Sequence, residues 1–92
     1  MTPRIVRPDP QVVFRRLGER MVLVHLHSNQ IVDLNETAAR LWELLSQDGD
    51  VAAAEARLAE EYEVEPAQLR AEVDATVAQL TTERMLLGVD GG

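Results

Sequence analysis

Between Ile31 and Leu45 the spacing of apolar residues changes from that of a strand to that of a helix without an intervening loop. The β-branched run at 31–34 is typical of a strand. The residues that then recur on one helix face are Ala38, Leu41, Trp42 and Leu45. Asn35 is a favoured N-cap because its side-chain oxygen can accept from free N–H groups of the first turn. A strand that leads directly into a capped helix must pack with it as one unit, and Trp42, the only tryptophan, is expected to anchor the core.

The remaining patterns predict an α+β fold, winged helix-turn-helix-like, with a three-stranded antiparallel sheet followed by three helices. The predicted strands are Val12–Leu17, Arg20–Leu26 and Ile31–Leu34. The predicted helices are Glu36 to about Ser46, Val51 to about Tyr62, and Pro66 to about Arg84. Gly18-Glu19 suits a tight hairpin turn, and Asn29 tolerates the left-handed region in the second turn.

Two features of this arrangement stay open. One sheet face would carry Val22, Val24 and Leu26, but Leu23, Val32 and Leu34 compete for the core from the other face. The third strand is a sheet edge unless helix three or the C-terminal segment 85–89 covers it. An uncovered edge would be a template for an added strand.

At 92 residues the chain is expected to be one domain spanning 1–92. Residues 1–11 contain three prolines, at positions 3, 8 and 10, and are expected to be an extended lead-in. Residues 88–92 are expected to form a frayed tail. No apolar run is long enough for a membrane span and no signal peptide is evident, so we expect a soluble, cytoplasmic protein with no membrane partner.

The net charge of −7 is concentrated in the helical half, which has four arginines and thirteen acidic residues. Predicted helix three would be the recognition helix of a winged DNA-binding domain, yet its net charge is negative and would repel phosphates. Nucleic acid is therefore not the expected partner, although a winged-helix transcriptional regulator remains the alternative function.

Catalytic chemistry finds little support in the sequence. There is no cysteine, no glycine-rich phosphate loop and no nucleophile elbow around Ser28 or Ser46. His25 and His27 fall on one face of a predicted strand, with Asp33 the only plausible third metal ligand; ordinary surface histidines are the default interpretation. We expect no enzyme activity, no catalytic residue, no metal and no cofactor.

The sequence resembles the PqqD-like proteins, the peptide chaperones or RiPP recognition elements of ribosomal peptide biosynthesis. The resemblance runs from about Val12 to Leu87. It is carried by Val22-Leu23-Val24-His25-Leu26, Leu34-Asn35-Glu36-Thr37-Ala38-Ala39, Leu41-Trp42-Glu43-Leu44-Leu45 and Met85-Leu86-Leu87. At Trp42 the chain resembles the small stand-alone members that serve lasso-peptide clusters more than it resembles the pyrroloquinoline quinone member.

The resemblance implies a winged helix-turn-helix fold that does not bind DNA. It implies that a precursor's leader peptide adds as a strand beside strand three, against helix three, and is presented to a modifying enzyme or leader peptidase of the same pathway. The implied leader-binding backbone is that of Gln30, Ile31, Val32, Asp33 and Leu34. The implied positions on helix three are Leu69, Arg70, Val73, Asp74 and Val77. Aspartate at Val73 or Val77 is then expected to weaken leader binding more than any surface change on the edge strand.

Overall fold

A computed structural model describes residues 3–89, and the junction at Asn35 is as predicted. The Asn35 side-chain oxygen accepts from the Ala38 N–H at 2.9 Å and caps the helix that follows the strand directly. The strands are β1 (Val6–Pro8), β2 (Val12–Leu17), β3 (Arg20–His25), β4 (Ile31–Leu34) and β5 (Leu86–Gly88). The helices are α1 (Glu36–Gln47), α2 (Val51–Glu61) and α3 (Pro66–Thr82).

Strands β2, β3 and β4 form the predicted antiparallel meander in that order, which confirms the α+β class. A two-residue turn joins β2 to β3, and Gly18 at its first position has φ +64°, as type II′ hairpin turns require. Asn29 in the second turn has φ 61°, the left-handed conformation that asparagine tolerates best after glycine. Local turn chemistry therefore sets the connections of the sheet.

The sheet packs on the helices through the face that carries Leu23. Met21, Leu23, Val32 and Leu34 are almost fully buried, whereas Val22 and Val24 are only half-buried. The competition between the two faces is thus decided for the Leu23 face, because α1 packs on that side and removes it from water. The opposite face, which we call the outer face, is left partly apolar and exposed.

The three helices complete one core. Trp42 is 2% exposed and lies in it, as predicted. The Asp50 side chain caps α2 by accepting from the Ala53 N–H at 3.2 Å, and Pro66 occupies the first turn of α3. A Schellman motif ends α3: the Met85 N–H donates to the Leu80 carbonyl at 2.8 Å.

The lead-in and the C-terminal segment pair with each other. β1 and β5 form a separate two-stranded antiparallel sheet, with Val6 opposite Gly88. The Val89 N–H donates to the Ile5 carbonyl at 2.9 Å, so the tail expected to fray from residue 88 is held as far as Val89. The rest of that predicted tail, 90–92, lies outside the described residues.

Candidate functional site

The outer edge of β4 carries unpaired backbone groups. The His25 N–H donates to the Gln30 carbonyl at 2.9 Å, which fixes the alternation of the antiparallel ladder. By that alternation Val32 and Leu34 also bond to β3, and the N–H and C=O groups of Ile31 and Asp33 point away from it. Among residues 3–89 no strand pairs with β4 on this side, because the C-terminal segment pairs with β1. The edge is not covered by that segment.

One flank of α3 runs alongside this edge. At one end the Gln30 side-chain amide donates to a Glu83 carboxylate oxygen at 2.8 Å. At the other end Asn35 lines the same cavity as Glu72 and Thr76. The five residue steps from 30 to 35, along β4, span about 17 Å, and the eleven steps from 72 to 83, along α3, span about the same length. Helix and strand therefore run antiparallel, with a groove between them.

We call this feature the β4–α3 groove. Its strand side is Gln30–Leu34, and its helix side is Glu72, Thr76, Gln79 and Glu83. A cavity of about 210 Å³ at the Asn35 end has apolar side chains in its wall, including Leu41, Leu58 and Val73. A cavity of about 530 Å³ at the Gln30 end is lined by residues of polar types, among them His27, Glu83 and Arg84. The groove thus has apolar side chains in its wall at the Asn35 end and polar side chains at the Gln30 end.

The β4 residues named from the sequence divide by face. The side chains of Val32 and Leu34 are 5% and 4% exposed and belong to the core. Ile31 is 66% exposed on the outer face, where Asp33 pairs with Arg20 at 3.1 Å. What β4 presents to the groove is therefore backbone rather than a row of side chains.

The apolar α3 residues named from the sequence are core residues. Leu69, Val73 and Val77 are at most 1% exposed, and only Val73 borders the groove, through the apolar cavity. An aspartate at Val73 or Val77 would place a carboxylate in the core and unfold the protein. That substitution does not isolate an effect on ligand binding.

The polar pair named on α3 lies on its other flank. Arg70 donates to a Glu55 carboxylate of α2 at 3.3 Å, and Asp74 lies 3.7 Å from Arg4 of the lead-in. The flank toward β4 instead presents Thr76 and Glu83, which were not among the site residues expected from the sequence. Sequence periodicity identified the buried stripe of α3, but the two flanks beside such a stripe are equivalent until the packing of the strands is known.

His25 is not a surface histidine. It is 5% exposed, β3 ends there, and His27 follows in an exposed turn. Its Nε2 lies 3.1 Å from an Asp9 carboxylate oxygen, and its Nδ1 accepts from the Ser28 N–H at 3.3 Å. The Gln11 N–H and then His25 lower the pKa of Asp9. This contact joins the lead-in to the second turn, beside the Gln30 end of the groove.

The three side chains considered as metal ligands, His25, His27 and Asp33, are not grouped. Asp33 faces the outer side of the sheet, whereas His25 faces inward. Across residues 3–89 no set of three or more His, Cys, Asp or Glu side chains is arranged to hold a metal ion. Over the same range, no helix combines the length and apolarity needed to cross a membrane.

The family model described as coenzyme PQQ synthesis protein D (PqqD) matches residues 20–86. None of the curated proteins matches the chain in sequence.

Two solved structures have the same fold. One, described as TbiB1 in complex with the TbiA(beta) leader peptide, gives a TM-score of 0.82 at 20% identity and covers 90% of this chain and 96% of that one. The other, described as lasso peptide synthetase B1 complexed with the leader peptide, gives a TM-score of 0.78 at 29% identity and covers 89% of this chain and 96% of that one.

Proposed function

Because the chain belongs to the PqqD family, we propose that it binds the leader segment of a ribosomally made precursor peptide and presents the attached core peptide to a modifying or processing enzyme. The observation that carries the proposal is the open edge of β4 facing a flank of α3 across a groove. Both similar structures are described as complexes with leader peptides, which supports the same role here.

The leader would enter the groove as a fourth strand of the sheet. It would exchange hydrogen bonds with the outward N–H and C=O groups of Ile31 and Asp33. Its side chains would alternate between the outer face beside Ile31 and the interior of the groove. The side chains of Val32 and Leu34 pack in the core, and the backbone groups of these two residues do not bond to the leader.

Backbone pairing alone gives little net affinity. Each added hydrogen bond contributes about 0.5–1.5 kcal/mol. Ordering each leader residue costs about 1–2 kcal/mol. Apolar leader side chains that become buried, each contributing about 1.5–3 kcal/mol, must therefore supply most of the affinity. The apolar cavity between Asn35 and Thr76 is the place in the groove suited to such a side chain.

The helix side of the groove adds a charge preference. Glu72 and Glu83 stand near its two ends, and Glu83 already accepts from the Gln30 amide. A basic or uncharged leader residue facing α3 would be favoured over an acidic one. The same carboxylates disfavour the phosphate backbone of DNA.

In this proposal the protein is a non-catalytic binding partner located in the cytoplasm. The enzyme that receives the bound precursor would be a modifying enzyme or leader peptidase of the same pathway. In a lasso-peptide pathway it would be the separate protease that removes the leader. No cofactor is needed for this role.

The test is a pair of titrations at low salt. One uses a fluorescein-labelled synthetic leader of a short precursor peptide, to be sought among the neighbouring genes, with a scrambled leader as control; the other uses labelled duplex DNA. We expect saturable leader binding in the micromolar range or tighter, no binding of the scrambled peptide, and no saturable DNA binding. Saturable DNA binding without leader binding would instead favour the alternative function, a winged-helix DNA-binding regulator.

A further inference from the structure

The three-stranded sheet has a second open edge, at β2. In the described part of the chain β2 pairs only with β3. Val13, Phe14 and Leu17 are 46%, 60% and 54% exposed. A long exposed edge with apolar side chains is a template for pairing with another chain. The β4–α3 groove lies at the opposite edge of the same sheet and does not use it.

The hydrogen bonds of the hairpin show which β2 groups are free. The Leu26 N–H donates to the Gln11 carbonyl at 2.8 Å, so odd-numbered β2 residues bond to β3 and even-numbered ones point outward. The outward groups belong to Val12, Phe14 and Arg16. The Val12 N–H is already used, because it donates to the Asp9 carbonyl at 2.9 Å.

These groups match a second copy of the same strand. In an antiparallel pair with a twofold axis at Phe14, each Phe14 would donate to and accept from the other. Each Arg16 N–H would donate to the Val12 carbonyl of the second copy. The two Phe14 rings would meet on the α1 side of the joined sheet, because Phe14 lies opposite the core residue Leu23.

Charge selects this register over its neighbour. With the axis at Phe14, Arg15 faces Val13 and Arg16 faces Val12 of the second copy. With the axis at Arg15 two guanidinium groups would lie directly opposite each other, which destabilises a strand pair. Arg16 also keeps its own partner, since it bonds to Glu43 of α1 within the same chain.

We propose that the β2 edge is a self-association surface, on which two copies of this chain join antiparallel through Phe14 into one continuous sheet. The contact is a single strand edge, smaller than the roughly 1,200–2,000 Å² of stable interfaces, so the association is weak and reversible. Both β4–α3 grooves stay open at the far ends of the joined sheet.

The first experiment is sedimentation equilibrium from about 10 μM to about 1 mM protein, the concentrations at which a weak, reversible dimer forms. We expect a monomer–dimer equilibrium for the wild type. Phe14→Arg places two like charges on the axis and should weaken the dimer about tenfold or more. Phe14→Leu keeps an apolar contact on the axis and should therefore still dimerise. Circular dichroism checks that the variants are folded.

The second experiment uses the absence of cysteine from the chain. In Phe14→Cys the two thiols would face each other at a Cα separation of about 5.5 Å, which suits a disulfide. In Val13→Cys, also exposed, they would be more than about 7 Å apart, beyond disulfide reach. Under mild oxidation residue 14 should therefore cross-link faster than residue 13.

Three results would overturn the proposal. These are a wild type that stays monomeric throughout the concentration range, a folded Phe14→Arg variant that dimerises like the wild type, and cross-linking at residue 13 as fast as at residue 14. None depends on leader binding, so the proposed function can fail while self-association holds, and the reverse.

Discussion

The backbone N–H of Asp33 offers the sharpest test of strand addition at β4. This N–H points to the open edge, so Asp33→Pro removes a donor that the protein's own sheet does not use. Proline is tolerated on an edge strand when its N–H position faces away from the neighbouring strand. Asp33→Ala is the matched control, because it loses the same carboxylate and keeps the N–H.

The expected loss comes from one hydrogen bond and its unpaired partner. A hydrogen bond contributes about 0.5–1.5 kcal/mol net, and removing only its donor costs more, about 1–3 kcal/mol, because the leader carbonyl is left without a partner in the groove. That cost corresponds to a dissociation constant raised about 5- to 150-fold. Both variants lose the ion pair between Asp33 and Arg20. The Arg20 and Asp33 side chains are 59% and 56% exposed, so the ion pair contributes at most about 1 kcal/mol, and its loss cancels in the comparison of the two variants.

The assay is fluorescence anisotropy of the labelled leader with the wild type and both variants, alongside thermal melts followed by circular dichroism. Asp33→Ala should bind within about threefold of the wild type, and Asp33→Pro should show the loss worked out above. If Asp33→Pro binds as tightly as Asp33→Ala while both remain folded, the leader does not pair with β4.

Three further predictions concern stability. Gly49→Ala should lower the free energy of unfolding by about 1–3 kcal/mol in urea titrations, because a Cβ there would lie 1.8 Å from the Val6 carbonyl oxygen; an unchanged midpoint would contradict this. Arg84→Gly should raise the free energy of unfolding by about 0.5–1 kcal/mol, because Arg84 has φ 63° at the end of α3 and glycine adopts that conformation without steric cost. Glu61→Gln tests pH dependence: hydrogen bonds from Arg40 lower the pKa of Glu61 from 4.5 to about 2. The wild type should melt higher than this variant above pH 4.5, and the difference should disappear as the pH falls toward 2.

The sequence by itself determined the elements whose causes are local. The change of period at Asn35, the glycine and asparagine turns and the proline start of α3 each depend on residues a few positions apart. The structure accordingly confirms the three-stranded meander and the three helices. The family resemblance also pointed to β4 as the edge that receives a peptide, which stays a prediction.

Only the tertiary structure decided which surfaces face each other. Periodicity could not choose between the two faces of the sheet, and it gave no reason to bury His25. The flank of α3 that faces β4 is set by contacts between distant residues, such as Gln30 with Glu83, 53 positions apart, and Arg70 with Glu55. A helix pattern specifies which stripe is apolar, but its rotation relative to a distant strand follows from how the whole core packs.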